Sequence, residues 1–315
     1  MKKTPPLWIC PLRIRFCISE LPNPPHPALT PASPIYPSPV SWVNGPAFPE
    51  IQAGKEYELA EYPKYSIVIP AYNERARILA TLESVVACVR ARNWDAEIII
   101  VNDGSTDQTA ALVTQFIRTA PEVRLMENPS NRGKGYSVRA GLLHALGEIV
   151  MFTDADLSAP IEEAERLFAA IAAGADIAIG SRWLATSRQT HRQPLYRQLF
   201  GRCFNALTRA VMRLPYADTQ CGFKAFTRDA AQTIFQLETI ERWGFDPEIL
   251  FIARKRGYRV TEVPVSWAHD ARSRISYLRD GLQMLEELAI VRWNAITGRY
   301  GREITEVERD SNPPH

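Results

Sequence analysis

With 315 residues, 46% hydrophobic and 23% charged, the chain can bury one sizeable core, or one core with appendages, and its net charge of +2 excludes a protein defined by bulk charge. Five cysteines (Cys10, Cys17, Cys88, Cys203, Cys221) show no close paired spacing, which argues against a zinc site or a disulfide framework and for a reducing, cytoplasmic setting. No apolar run approaches the roughly 18 residues of a spanning helix, so any membrane contact is expected to be peripheral.

Residues 1–62 hold thirteen of the 24 prolines. Proline fixes φ and removes a backbone donor, so this Pro-rich segment is expected to be extended or disordered. Met1-Lys2-Lys3 is a basic start, but Pro5, Pro6, Pro11, Arg13 and Arg15 interrupt any apolar signal region. A partner-binding arm, a loose tail and a mis-assigned start all fit it.

From Tyr65 the pattern alternates. Apolar, β-branched runs at 65–70, 97–101, 123–126, 149–153 and 176–179 predict strands. Helical spacing predicts helices near 74–92, 106–119, 133–145 and 161–173. Such alternation predicts a mostly parallel sheet with right-handed crossovers, whose strand ends carry polar clusters that converge.

Four clusters follow. Pro70-Ala71-Tyr72-Asn73-Glu74 ends the first strand, and Asn102-Asp103-Gly104-Ser105-Thr106-Asp107 ends the second. In the second, Ser105 to Asp107 serve as cap oxygens, whereas Asp103 is placed to accept from a base N–H. Asn131-Arg132-Gly133-Lys134-Gly135 sets cations and glycines at a helix start, which suits phosphate and equally suits a solvated loop. Asp154-Ala155-Asp156 delivers two carboxylates on one side of a strand end, as hard Mg²⁺ or Mn²⁺ ions require; alone, the pair would also cap the next helix.

Further on, no acid lies between Asp176 and Asp218, while Arg182, Arg188, Arg192, Arg197, Arg202, Arg209 and Arg213 all do. Leu195, Leu199, Phe200, Cys203, Phe204, Leu207 and Val211 recur at helical spacing. Leu278, Leu282, Leu285, Ala289, Trp293 and Ile296 make a second stripe within 277–300. Both segments read either as interfacial helices on an anionic membrane or as core-facing helices with a basic outer side. No nucleic-acid motif accompanies the arginines.

Ile67-Val68-Ile69-Pro70-Ala71-Tyr72-Asn73-Glu74, Val101-Asn102-Asp103-Gly104-Ser105, Asp154-Ala155-Asp156 and Gly180-Ser181-Arg182 together resemble glycosyltransferase family 2. Asp218-Thr219-Gln220-Cys221-Gly222-Phe223-Lys224 and Arg242-Trp243-Gly244-Phe245-Asp246 resemble its dolichyl-phosphate glucosyltransferase and polyprenyl-phosphate glycosyltransferase branch. The resemblance spans about residues 65–300. It implies a GT-A fold (Rossmann-like, mostly parallel sheet with flanking helices) over 63–300, with a donor half to 182, an acceptor half after it, C-terminal amphipathic helices and a polar tail at 301–315. It also implies a nucleotide-sugar donor and inverting transfer to a polyprenyl phosphate. UDP-glucose is the expected donor, GDP-mannose the alternative, and a soluble saccharide acceptor the nearest rival.

Carried over by residue, Pro70, Tyr72, Glu74 and Asp103 correspond to nucleoside contacts. Asp154 corresponds to the ribose- and metal-proximal acid and Asp156 to the direct metal ligand. Ser158 stands where related mannosyltransferases often have Gln, so a third side-chain ligand is not implied. Lys134, Ala155 and Arg274 complete the expected donor set. Arg182, then Arg197 and Lys224, are the expected acceptor-phosphate cations, and Asp218 the carboxylate for acceptor positioning or partial base work. Trp243 and Asp246 either shape the acceptor mouth or pack and cap the next helix.

Overall fold

The computed structural model describes residues 41–43, 62–191, 195–268 and 277–301. Strand β1 (Ser41–Val43) precedes an alternating run: β2 (Tyr65–Ala71), α1 (Ile78–Ala91), β3 (Ala96–Asn102), α2 (Thr109–Ile117), β4 (Val123–Glu127), α3 (Lys134–His144) and β5 (Ile149–Thr153). A short 3₁₀ turn (Ile161–Glu163), α4 (Ala164–Ala172) and β6 (Ile177–Ser181) complete it. The second half adds β7 (Arg188–His191), α5 (Leu195–Met212), β8 (Phe223–Thr227), α6 (Arg228–Leu237), α7 (Phe245–Lys255), β9 (Val260–Pro264), β10 (Ser266–Ala268) and α8 (Tyr277–Ile296).

Eight strands form one sheet in the order β1-β4-β3-β2-β5-β8-β6-β9, and β7 pairs with β10 in a small parallel ribbon. Strand β2 pairs in parallel with β3 on one side and β5 on the other. The chain therefore winds outward both ways from β2, and the crevice at the carboxyl ends of these strands is where such sheets bind ligands. The central strands are apolar throughout because both faces are covered. Ile67 and Ile69 point into a core with Leu82 of α1, Val113 of α2 and Leu167 of α4. Val68 points the opposite way, to Val138 of α3, Ile234 of α6 and Ile249 of α7. All of these side chains are fully buried, a gain of ~1.5–3 kcal/mol for each aliphatic side chain taken from water.

The mostly parallel sheet matches the expected GT-A architecture, with two departures. Strand β8 runs antiparallel between β5 and β6, with Phe223 opposite Thr153. The loop before β8 is thereby delivered to the carboxyl end of β5. Strand β1, from the Pro-rich segment, pairs antiparallel on the edge strand β4. The remainder of that segment, the polar tail and Arg274 lie outside the described residues.

The two arginine-flanked helices turn their apolar stripes outward. On α5, Leu199, Phe200, Leu207 and Val211 are exposed, whereas Phe204, Asn205, Thr208 and Met212 face in. On α8, Leu282, Leu285, Trp293 and Ile296 are exposed, whereas Glu287, Leu288, Val291 and Asn294 face in. Apart from Phe204, the described large apolar side chains of these stripes therefore face away from the core. A side-chain carbon placed on Gly281 would lie 3.3 Å from the Phe200 ring, which sets the two helices side by side. Among the described residues no helix is long and apolar enough to cross a membrane.

Candidate active site

A cleft of about 380 Å³ opens at the carboxyl ends of β2, β3 and β5. Pro70, Ala71, Tyr72, Glu74 and Arg77 form one wall, and Asp103, Asn131, Gly133, Lys134 and Ser137 another. Asp154, Ala155 and Asp156 form its floor, and Arg242 and Trp243 close the far side. The donor-site residues expected from the sequence are thus brought together, with Arg274 outside the description.

The loops are fixed by side chains chosen for backbone donors. Asn73, at φ +55°, accepts from the Thr106 and Asp107 amides at 2.8 and 3.2 Å, while its own amide donates to Ser105 Oγ at 2.9 Å. The Glu74 amide donates to Thr109 Oγ1 at 2.8 Å, and the Glu74 carboxylate takes both Nε and Nη2 of Arg77. Ser105 therefore stitches two loops together instead of capping α2. Arg77 was not singled out in the sequence; its spacing of three from Glu74 was the available signal.

Asp103 lines the cleft, as its expected base contact requires, and it also holds the neighbouring loop. One oxygen accepts from Asn128 Nδ2 and the Arg132 amide (2.8 and 3.0 Å), the other from Asn131 Nδ2 and the Gly133 amide (2.9 and 2.8 Å). Four donors fill a carboxylate's accepting sites. Asp103 is 3% exposed, and it gives the cleft a rigid 131–133 loop. Gly133, at φ +117°, is required because a Cβ there would lie 2.4 Å from the Glu241 carbonyl. Arg132 reaches the same residue, its Nη2 2.5 Å from Glu241 Oε1.

The wall bearing Arg242 and Trp243 is tied to buried acids. Glu248 accepts from the Ile240 amide at 2.8 Å and the Tyr300 hydroxyl at 2.6 Å, and Glu287 of α8 accepts from the Gly244 amide at 2.6 Å. Burial raises both carboxyls above their ordinary range.

Asp154 and Asp156 lie together in the cleft. Asp154 Oδ1 lies 2.5 Å from Lys134 Nζ, and Asp156 Oδ1 accepts from the Ser158 amide at 2.9 Å. Burial, then the neighbouring Asp154 charge, raises the Asp156 carboxyl above its usual value. Two mutually repelling carboxylates suit a hard divalent cation. Among the described residues no third acid, His or Cys joins them, so Mg²⁺ or Mn²⁺ would complete its oxygen shell from diphosphate and water. Gly222, just before β8, packs on Asp154: a Cβ there would lie 2.3 Å from Oδ2. Gly222→Ala is expected to displace that carboxylate and lower turnover by about a hundredfold, with little change in the melting temperature. Steady-state kinetics beside a thermal melt check this.

On the acceptor side, the phosphate-ligand reading of Lys224 and the base reading of Asp218 are corrected. Lys224 is fully buried, its ammonium held by the Cys221 carbonyl at 2.6 Å and by Asp246, so it is a core ion pair and not a phosphate ligand. Asp246 is committed to that pair and does not shape a mouth. Asp218 is fully buried and accepts from Arg182 through Nε (2.7 Å), Nη2 (2.9 Å) and the backbone amide (3.0 Å), and from the Gln220 amide at 3.2 Å. Burial alone would raise its pKa, but the Arg182 charge outweighs that and holds it below the ordinary carboxylate value. A saturated, acid-shifted carboxylate is a poor base. Arg182 itself lies over the Trp183 and Trp267 rings at 5.7 and 5.5 Å, and Arg202 of α5 over Trp183 at 4.9 Å. Arg197 lies on α5, with its side chain outside the description.

Sequence comparison decides the family: the profile of "Glycosyl transferase family 2" matches residues 66–235, more than half of the chain. The protein belongs to glycosyltransferase family 2. This family 2 chain is 41% identical over 224 residues to a dolichyl-phosphate beta-glucosyltransferase of Trichomonas vaginalis, covering 67% of the chain and 66% of that relative. Relatives with the same enzyme name from Saccharomyces cerevisiae and Homo sapiens are 33% and 30% identical, covering 75% and 76% of the chain and 76% and 78% of the relatives. The chain spans just under two thirds of the length of the Trichomonas protein. Among solved structures, its fold is similar to a Pyrobaculum calidifontis mannosyltransferase in complex with GDP-Man and Mn²⁺ (TM-score 0.53, 20% identity, 79% of this chain and 68% of that one). It is also similar to a Mycobacterium tuberculosis glucosyl-3-phosphoglycerate synthase in complex with Mg²⁺ and UDP (TM-score 0.52, 19% identity, 74% and 79%).

Proposed function

We propose that this family 2 protein moves glucose from UDP-glucose onto dolichyl or another polyprenyl phosphate, inverting the anomeric centre. The observation that carries the lipid acceptor is the outward apolar face of α5 and α8, with Leu199, Leu282, Trp293 and Ile296 each about two-thirds or more exposed (65, 69, 66 and 73%). Arg202, Arg213 and Arg299 are exposed on or just beyond the same helices. Apolar stripes flanked by arginine fit the surface of an anionic bilayer, where each nearby cation contributes about 1 kcal/mol. The names of the relatives supply the glucosyl donor and the dolichyl acceptor. The free thiols of Cys88, Cys203 and Cys221 accord with the cytoplasmic side of that membrane.

In this reading the nucleoside lies along Pro70 and Tyr72, and the diphosphate lies over Asp154 and Asp156 with Lys134, Arg77 and Arg242 around it. Asp154 and Asp156 would hold Mg²⁺ or Mn²⁺, ions that the complexes of the similar structures contain, and the metal would supply Lewis-acid stabilisation of the departing diphosphate. A phosphate monoester has its second pKa near 6 and is already anionic at neutral pH, so no protein base is required. That agrees with Asp218 being sealed by Arg182. Asp218 acts by orienting Arg182, and Arg182 holds the acceptor phosphate in line. An acceptor oxygen bonds to the anomeric carbon as the bond to the diphosphate breaks, and the electron pair leaves with UDP.

Equilibrium binding with Mn²⁺ tests the donor: UDP-glucose is expected to bind at least about tenfold tighter than GDP-mannose, a difference of ~1.4 kcal/mol. The reverse order would make the enzyme a mannosyltransferase, and binding of neither would overturn the donor site. Flotation with anionic vesicles tests the surface. Replacing Leu282 and Trp293 together by Glu is expected to weaken vesicle binding at least about tenfold, since each buried apolar side chain is worth ~1.5–3 kcal/mol, without changing UDP-glucose affinity.

A further inference from the structure

The cleft contains its own cation. Lys134 projects from the first turn of α3 so that its ammonium meets Asp154 Oδ1, with the Trp243 and Phe245 rings 5.8 and 5.7 Å away. Only 15% of its side chain is exposed. Burial alone would make the ammonium easier to deprotonate, but Asp154, Asp246 and Asp156 outweigh that and keep it charged. The second oxygen of Asp154 is backed by Gly222, so the carboxylate has little room to turn away. A divalent cation approaching Asp154 and Asp156 meets a carboxylate whose outward oxygen is already neutralised. Two cations sharing one carboxylate repel each other, so the ammonium opposes a divalent ion at the same acid. A donor diphosphate changes the balance, because it brings new anionic oxygens both to the ammonium and to the metal.

We propose that Lys134 is a resident counter-ion: it holds Asp154 in the donor-free enzyme and passes to the diphosphate when the nucleotide sugar binds. The consequence is ordered loading. Divalent metal binds tightly only with nucleotide, and the empty cleft, with Asp154 already paired, does not collect adventitious metal. By linkage, metal and nucleotide strengthen each other by one and the same factor, and Lys134 sets a share of that factor. The inference rests on the reading of Asp154 and Asp156 as the metal-binding pair.

Binding of Mn²⁺, followed by the electron paramagnetic resonance signal of the free ion, separates the two claims without any turnover. Wild type, Lys134→Met and Asp156→Ala are titrated with and without UDP. Lys134→Met is expected to bind Mn²⁺ alone about tenfold tighter than wild type, the equivalent of ~1.4 kcal/mol, and to lose a similar factor of Mn²⁺–UDP coupling. Its affinity for UDP without metal is expected to fall. Lys134→Gln gives the same comparison if the methionine variant does not fold. Unchanged or weaker Mn²⁺ binding in the folded Lys134 variant, while Asp156→Ala abolishes it, would overturn the counter-ion role and leave the metal pair standing. Wild-type Mn²⁺ binding by Asp156→Ala would overturn the metal pair itself.

Discussion

Asp156→Ala is expected to lower glucosyl transfer by about 10²–10³-fold in turnover, in a protein that remains folded. The side chain lines the cleft, and its structural bond to the Ser158 amide is worth about 1.5–3 kcal/mol. Its stability account is further offset by charge. The folded-state pKa of Asp156 is raised by burial and by Asp154, so the ionised form costs stability as pH rises above the ordinary carboxylate range. Removing the carboxyl removes that cost. A melting temperature within a few degrees of wild type, together with the lost turnover, is therefore the expected pair of results. Near-normal turnover would contradict the assignment of Asp156 to the reacting centre.

The largest effect on stability is expected at Lys224, a residue that the sequence motif alone placed among the phosphate ligands. Lys224→Ala leaves Asp246 charged and buried without its partner, and breaking one side of a buried pair costs about 3–5 kcal/mol. In a domain of this size that lowers the melting temperature by roughly 10 °C. Replacing both partners, as Lys224→Met with Asp246→Leu, is expected to recover much of the loss, because the isolated charge is what destabilises. Below the transition, the acceptor KM of Lys224→Ala is expected to match wild type. A normal melting temperature with a raised acceptor KM would restore Lys224 to the acceptor site.

The alternation of strands and helices, and the polar clusters at the strand ends, were legible because each signal is local. The run of Ile98 to Val101 needs both faces covered, and Asp154 and Asp156 follow a five-residue apolar strand. Strand β8 was not legible: its Phe223–Thr227 run acquires meaning only from pairing with β5, some seventy residues earlier. Depth was not legible either. Asp218 and Lys224 are the right residue types at the right motif positions, and whether a charged side chain faces a cleft or a partner is decided by elements distant in sequence. Arg182 with Asp218 and Lys224 with Asp246 are separated by 36 and 22 residues. The outward turn of the α5 and α8 stripes belongs to the same class, since periodicity gives a face and not its direction.

Transfer itself is the most direct test. Radiolabelled UDP-glucose is incubated with the protein, dolichyl phosphate in vesicles and Mn²⁺, and label is counted in the organic-extractable phase. The account predicts label in that phase, dependent on dolichyl phosphate and removed by a chelator. Label on a soluble acceptor, or release of free glucose with an unlabelled lipid phase, would contradict the lipid acceptor and with it the reading of the outward apolar face.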